Sequence, residues 1–137
     1  FHPGGQLGKR LLLRVRDLMR TGSDNPIVPQ RTLVKDVLLA ITKARAGCAS
    51  VVDPRGRLIG IFTDGDLRRH VERTPNLMDV PVHQVMTKGP KTIPADHLAA
   101  EALRLLRENR IDELVVLDAR RRPVGLLDVQ DLLKAGF

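Results

Sequence analysis

The sequence predicts a mixed α/β (α+β) fold of two pseudo-symmetric βαββα repeats packed sheet to sheet, and three observations predict it. The first is an internal repeat. Val28-Pro29, Thr32-Leu33, Asp36-Val37-Leu38, Val51-Val52-Asp53, Gly60 and Asp66-Leu67 return as Ile93-Pro94, His97-Leu98, Glu101-Ala102-Leu103, Val116-Leu117-Asp118, Gly125 and Asp131-Leu132, at a constant offset of 65. The second is that each copy alternates period-2 apolar runs with 3.6-period ones in the order β-α-β-β-α. The third is the stretch Gly60 to Leu67, which reads as a buried strand entering a helix N-terminus. A unit of about 60 residues is too small to be comfortable alone, so the copies should cover each other's sheets and leave clefts between them.

Taken in order, Phe1 to Gly5 is breaker-rich and reads as the tail of something upstream. Leu11, Leu12, Val15, Leu18 and Met19 recur at helical spacing and predict a helix over Leu7–Arg20. Within it, Val15-Arg16-Asp17-Leu18-Met19 answers Val82-His83-Gln84-Val85-Met86 at an offset of 67. A brief strand precedes Pro29 and a helix follows over Leu33–Ala46. Two strands, Cys48–Val52 and Leu58–Phe62, flank Asp53-Pro54-Arg55-Gly56, a strong turn signal, and a helix starts near Thr63. The second copy gives a strand before Pro94, a helix over Leu98–Asn109, strands Leu114–Leu117 and Val124–Leu127, and a helix from about Asp128. The predicted boundaries are 1–14 for a linker, 15–75 for the first repeat and 80–137 for the second.

Composition narrows the function. With 42% apolar and 28% charged residues over 137 positions the chain reads as globular. No apolar run nears the ~20 residues of a membrane span and no leader is visible, so a cytoplasmic location without membrane contact is expected. A net charge of +7 favours anionic partners. Nucleic acid is not expected among them, because single-strand binders supply stacking aromatics and this chain has three Phe and no Trp or Tyr. Cys48 is the only cysteine, which rules out an internal disulfide, and His2, His70, His83 and His97 share no metal-ligand spacing. The run Arg120-Arg121-Arg122 reads as a solvated turn.

The chemistry concentrates at the strand exit. The Thr63 hydroxyl and the first-turn amides suit a phosphate, and the Asp66 carboxylate can accept from both hydroxyls of a ribose. A plain structural reading uses the same residues, with Thr63 as a cap and Asp64 and Asp66 opposing the helix dipole.

Over residues 15–137 the repeat and the pattern Gly-apolar-apolar-Thr-x-x-Asp resemble a tandem pair of cystathionine-β-synthase (CBS) domains, the Bateman module. The resemblance implies a regulatory, non-enzymatic module binding a nucleotide between its repeats. It places Gly60, Thr63 and Asp66 in one site and Gly125, Asp128 and Asp131 in a second, weaker one, where the Asp128 carboxylate replaces a hydroxyl and would repel phosphate. His2-Pro3-Gly4-Gly5, Asp17-Leu18-Met19 and Phe62-Thr63-Asp64-Gly65-Asp66-Leu67-Arg68-Arg69 further resemble the C-terminal part of arabinose-5-phosphate isomerases. That similarity implies an upstream sugar-isomerase domain as the partner that 1–14 would link to. It also implies a role in lipopolysaccharide biosynthesis and a catalytic part for His2 in the context of that domain alone.

The effector then expected is CMP-Kdo, a feedback ligand with a ribose, a phosphate and a sugar acid; the competing ligand is an adenine nucleotide such as AMP or ATP. Arg68, Arg69, Lys88 and Lys91 could take the negative groups, and Val28, Thr32, Ala49, Ser50 and Val51 are expected to line the base pocket. The alternative is a structural module that only holds an oligomer together. A homodimer is expected through the leucine-rich first and last helices, the latter carrying Leu132, Leu133 and Phe137.

Overall fold

The computed structural model describes residues 6–137. Two short helices open it, α1 (Gln6–Leu12) and α2 (Val15–Leu18), followed by β1 (Ile27–Pro29), α3 (Val34–Ala44), β2 (Cys48–Val52), β3 (Leu58–Thr63) and α4 (Asp64–Val71). The second copy runs through β4 (Thr87–Lys88), β5 (Thr92–Pro94), α5 (Ala99–Asn109), β6 (Glu113–Leu117), β7 (Pro123–Asp128) and α6 (Val129–Lys134). Among these residues no helix is long and apolar enough to cross a membrane.

Helix α3 forms because Val34, Val37, Ile41 and Ala44 fall on one face and are all buried. It stops two residues before the predicted Ala46 because Arg45 turns left-handed at φ 52 and its N–H caps the carbonyls of Ile41 and Thr42. Its counterpart α5 ends the same way at Arg110, also φ 52. The expected single helix over Leu7–Arg20 is instead broken at Leu13 and Arg14. There the backbone pairs with the segment before α5: Val15 N–H donates to His97 O at 2.8 Å, Arg16 N–H to Ala95 O at 2.9 Å, and Ala99 N–H to Leu13 O at 2.8 Å. Those partners lie some eighty residues away, and local periodicity carries no trace of them.

The strands form two sheets, ordered β1-β2-β3-β4 and β5-β6-β7. In each, the first strand runs parallel to the second and the second antiparallel to the third, with a bulge at the equivalent places Val51/Val52 and Val116/Leu117. The sheets face one another across a small core of Cys48, Leu58, Val115 and Leu126, which confirms the predicted sheet-to-sheet packing.

The segments leading into the two repeats cross over. Arg20 pairs with Leu126 of β7, and Val15 belongs to the core under the second sheet. Conversely, Thr87 and Lys88 add to the edge of β3, and Leu77, Val82 and Val85 complete the core under the first sheet. The glycines make this possible. A Cβ on Gly60 would lie 2.5 Å from Met86 Sδ and 2.8 Å from the Thr87 carbonyl; one on Gly125 would lie 2.5 Å from Met19 Sδ and 3.2 Å from the Arg20 carbonyl.

Candidate functional site

Strand β3 delivers its last residue, Thr63, to the start of α4 in an extended conformation (φ −121°, ψ 170°), where a capping box closes. Thr63 Oγ accepts from Asp66 N–H at 3.2 Å, and Asp66 Oδ2 accepts from Thr63 N–H at 2.9 Å. Beside this junction lies a cavity of about 510 Å³, within the range of small-molecule sites. Its first wall is Ile61, Thr63, Asp64, Gly65, Arg68 and Arg69; its second is Gly89, Pro90, Lys91 and the run Arg110 to Glu113, so the cleft lies between the repeats. Four cations, Arg68, Arg69, Lys91 and Arg110, converge on it from three separate segments. An anion near Thr63 would meet positive charge and the unpaired amides of a helix start together.

Of the residues assigned to ligand binding from sequence, Thr63, Arg68, Arg69 and Lys91 border this cavity, and the others do not. Asp66 is turned inward at 2% exposure. Its carboxylate accepts from Thr63 N–H and Oγ, from Thr87 Oγ at 2.6 Å, and from Arg69, so its lone pairs are spent on holding β4 and α4 together. Gly60 faces Met86 rather than the cleft: its missing side chain is a packing requirement. Val28, Ala49 and Val51 are core residues of the first repeat, because alternation along β2 directs Ala49 and Val51 toward α3. Ser50 lies on the opposite face with Cys48, buried, its Oγ without a partner among the described residues. Thr32 offers its carbonyl to Val82 N–H at 2.8 Å, and Lys88 is exposed on β4 beyond the cavity lining. His2 lies outside the described residues.

The second cleft is built differently. At the place equivalent to Thr87 stands Arg20, whose Nε donates to Asp131 Oδ2 at 3.1 Å and whose Nη1 donates to the Arg45 carbonyl at 2.8 Å. This contact with Asp131, more than the nearby acids, holds the guanidinium in its charged form. Asp128 Oδ1 caps α6 through Gln130 N–H at 2.7 Å. Leu133 and Pro26 stand where the first cleft has Arg68 and Lys91. A bridging arginine therefore occupies the equivalent position, and two of the four cations are missing.

Among the cleft residues that sequence reasoning missed are Arg110 and Glu113. Arg110 reads as an ordinary helix end, and only its left-handed turn swings it over the cavity. Glu113, the first residue of β6, is half-buried beside Gly47. Burial foremost, then Asp128, Asp112 and Asp64, push its carboxyl up to about 7. Burial likewise pushes the Cys48 thiol far above its ordinary value, which leaves it inert. No group of His, Cys, Asp and Glu among the described residues could hold a metal ion. A further cleft of about 740 Å³ by β5 sets Arg16 and His97 against Asp96 and Asp118 and has no comparable cation set.

A family model described as CBS domain matches residues 15–73 and 82–137. Over 135 residues the chain is 49% identical to arabinose 5-phosphate isomerase KdsD of Pseudomonas aeruginosa, covering 98% of this chain and 41% of that protein. It thus spans about two fifths of the length of the curated relatives it matches. Among solved structures, CBSX2 in complex with AMP has a TM-score of 0.75 at 25% identity, over 90% of this chain and 95% of that one. A CBS domain pair in complex with 5-methylthioadenosine and S-adenosyl-L-methionine has a TM-score of 0.80 at 19% identity, over 90% and 94%, a likeness of fold.

Proposed function

This chain belongs to the CBS domain family, and from that premise we propose that it is a regulatory module holding a nucleotide or nucleotide-sugar in the cleft between its repeats. The observation that carries the reading is the meeting of Arg68, Arg69, Lys91 and Arg110 at the capped start of α4, in a cavity of about 510 Å³. The free first-turn amides of α4 take a phosphate, the four cations neutralise it, and the apolar side chains of Ile61, Pro90 and Ile111 leave room for a base. The second cleft, bridged by Arg20, stays empty.

Residues 1–14 serve as the linker from a sugar-isomerase domain, and the whole protein is an arabinose-5-phosphate isomerase regulated through this pair, as the identity to KdsD supports. Repeats over 15–75 and 80–137 form the sensor. CMP-Kdo, which joins a phosphate and a sugar acid to a ribose, matches the cation set as a feedback effector. AMP is the second reading, favoured by the AMP complex of CBSX2.

A thermal-shift panel with AMP, ATP, S-adenosylmethionine, CMP and CMP-Kdo tests the proposal. A ligand at 100 times its Kd should add about 2.7 kcal/mol of apparent stability. Lys91→Ala and Arg110→Ala should each weaken binding about tenfold, through loss of one charge-assisted contact, while the apo protein unfolds as before. Asp66→Ala is a poor probe, since it also frees Thr87 and removes the Asp66 half of the capping box. No shift with any ligand, together with concentration-dependent assembly in sedimentation, would replace the sensor by a purely structural oligomerisation module.

A further inference from the structure

We propose that Glu113 reads the base of the bound nucleotide, accepting a hydrogen bond from an exocyclic amino group of the adenine or cytosine kind. The inference rests on the nucleotide-binding reading of the first cleft and adds to it the group that selects among nucleotides.

Glu113 stands out because it is a half-buried acid, set beside three others, with no partner. Asp66 is engaged by Thr63, Thr87 and Arg69, Asp131 by Arg20, and Asp128 by the Gln130 amide, while Asp64 and Asp112, which also border the first cavity, are exposed to solvent. Among the described residues the Glu113 carboxyl forms neither an ion pair nor a hydrogen bond, although four cations border the same cavity. A half-buried carboxyl left unpaired costs stability, and a phosphate site gains nothing from it. It is also housed: a Cβ on Gly47 would collide with Glu113 Oε1, so the bare glycine makes the space the carboxyl occupies.

Its neighbours suit a base. Ile61 and Ile111 border the cavity with Glu113, giving apolar contact for the faces of a ring whose edge meets the carboxyl. The phosphate, repelled by Glu113, is left to the Thr63 and Arg68 end. The groups facing Glu113 are Asp128 from β7, Asp112 from the connection into β6 and Asp64 from α4, with Arg110 from the end of α5 and Lys91 across the cavity. Burial foremost, and then the three acids, lift its titration to about 7, so near neutral pH it exists as both acid and carboxylate. Each form offers an oxygen that accepts an N–H. The acid adds an O–H donor, which matches the ring nitrogen beside the amino group in adenine and in cytosine.

Calorimetric titration of the chain with AMP against IMP, and CMP against UMP, is the test, since each pair differs in the amino group that Glu113 would accept from. The parent protein should prefer the amino-bearing member by about tenfold, the scale of one buried hydrogen bond with a partner left unsatisfied. Glu113→Gln keeps an accepting oxygen, so it should keep the preference while losing the change in that preference between pH 6 and pH 8; the phosphate's own titration at about pH 6 is common to both members of a pair and cancels. Glu113→Leu should bind both members of a pair alike, with circular dichroism confirming its fold. Equal affinity within both pairs for the parent, or an undiminished preference in Glu113→Leu, overturns the assignment and leaves nucleotide binding standing. Absence of binding by all four nucleotides overturns both readings.

Discussion

Asp66 and Glu113 are both acids beside one cleft, and their surroundings give them opposite work. Asp66 accepts from four donors and serves as a structural clasp; Glu113 accepts from none and stays poised to titrate. The second case has a consequence for stability. The folded state holds the Glu113 proton up to about pH 7, whereas the unfolded chain releases it near 4.5. Between those values the folded chain binds the extra proton, so stability falls as pH rises and the penalty is complete above 7. Glu113→Gln removes a titrating group without removing its shape. In denaturant titrations the variant should match its parent at pH 4 and exceed it by about 2 kcal/mol at pH 8. Equal stability of the two proteins at pH 8 would show that the carboxyl is better solvated than its position implies.

At the scale of elements, the two glycine-methionine contacts set how closely the crossing segments approach the sheets. Gly60 lies under both Met86 and the Thr87 backbone, and the backbone cannot yield as a methionine can. At Gly125 the nearest backbone atom is 3.2 Å from the position of a Cβ, so the Met19 side chain can absorb most of the intrusion. Thermal unfolding should therefore rank Gly60→Ala as the more damaging, by about 2 kcal/mol against about 1 kcal/mol for Gly125→Ala. The helix ends follow a similar local logic. Arg45 and Arg110 both cap their helices in the left-handed region, but only Arg110 overhangs a cation-rich cavity, because the second cleft has no basic counterparts of Arg68 and Lys91. The surface leucines divide as well: Leu132 is fully buried and Phe137 packs on the second core, while Leu7, Leu11, Leu12 and Leu133 remain exposed. Any homodimer face would draw on the latter set.

For the whole molecule, the crossover makes the repeats of the sequence differ from the units of packing. A fragment of residues 15–75 would lack Leu77, Val82 and Val85 of its own core and carry an unpaired Val15. A fragment of residues 21–88 holds the entire first core and the full four-stranded sheet. Amide dispersion in NMR spectra should show the second fragment ordered to a greater extent than the first, and the intact chain should unfold in one cooperative step. Two separate transitions in the intact chain would mean that the exchanged segments couple the halves weakly.

Much of this was legible in the residues. The offset of 65 gave the pseudo-symmetry, apolar periodicity located the helices and strands to within a few residues, and Thr63 announced a cap that the structure contains. Part of the candidate site was legible too, since Thr63, Arg68, Arg69 and Lys91 border the cleft. What periodicity could not show was the break at Leu13, the inward turn of Asp66, the covering of Gly60, or the arrival of Arg110 and Glu113. The sequence by itself determined the two repeated units, their element order and the capped strand exit, because these depend on neighbours within one or two turns of chain. Only the tertiary structure decided which side chains meet in the cleft and which segment completes each core, because those contacts join residues whose separation along the chain exceeds any local signal.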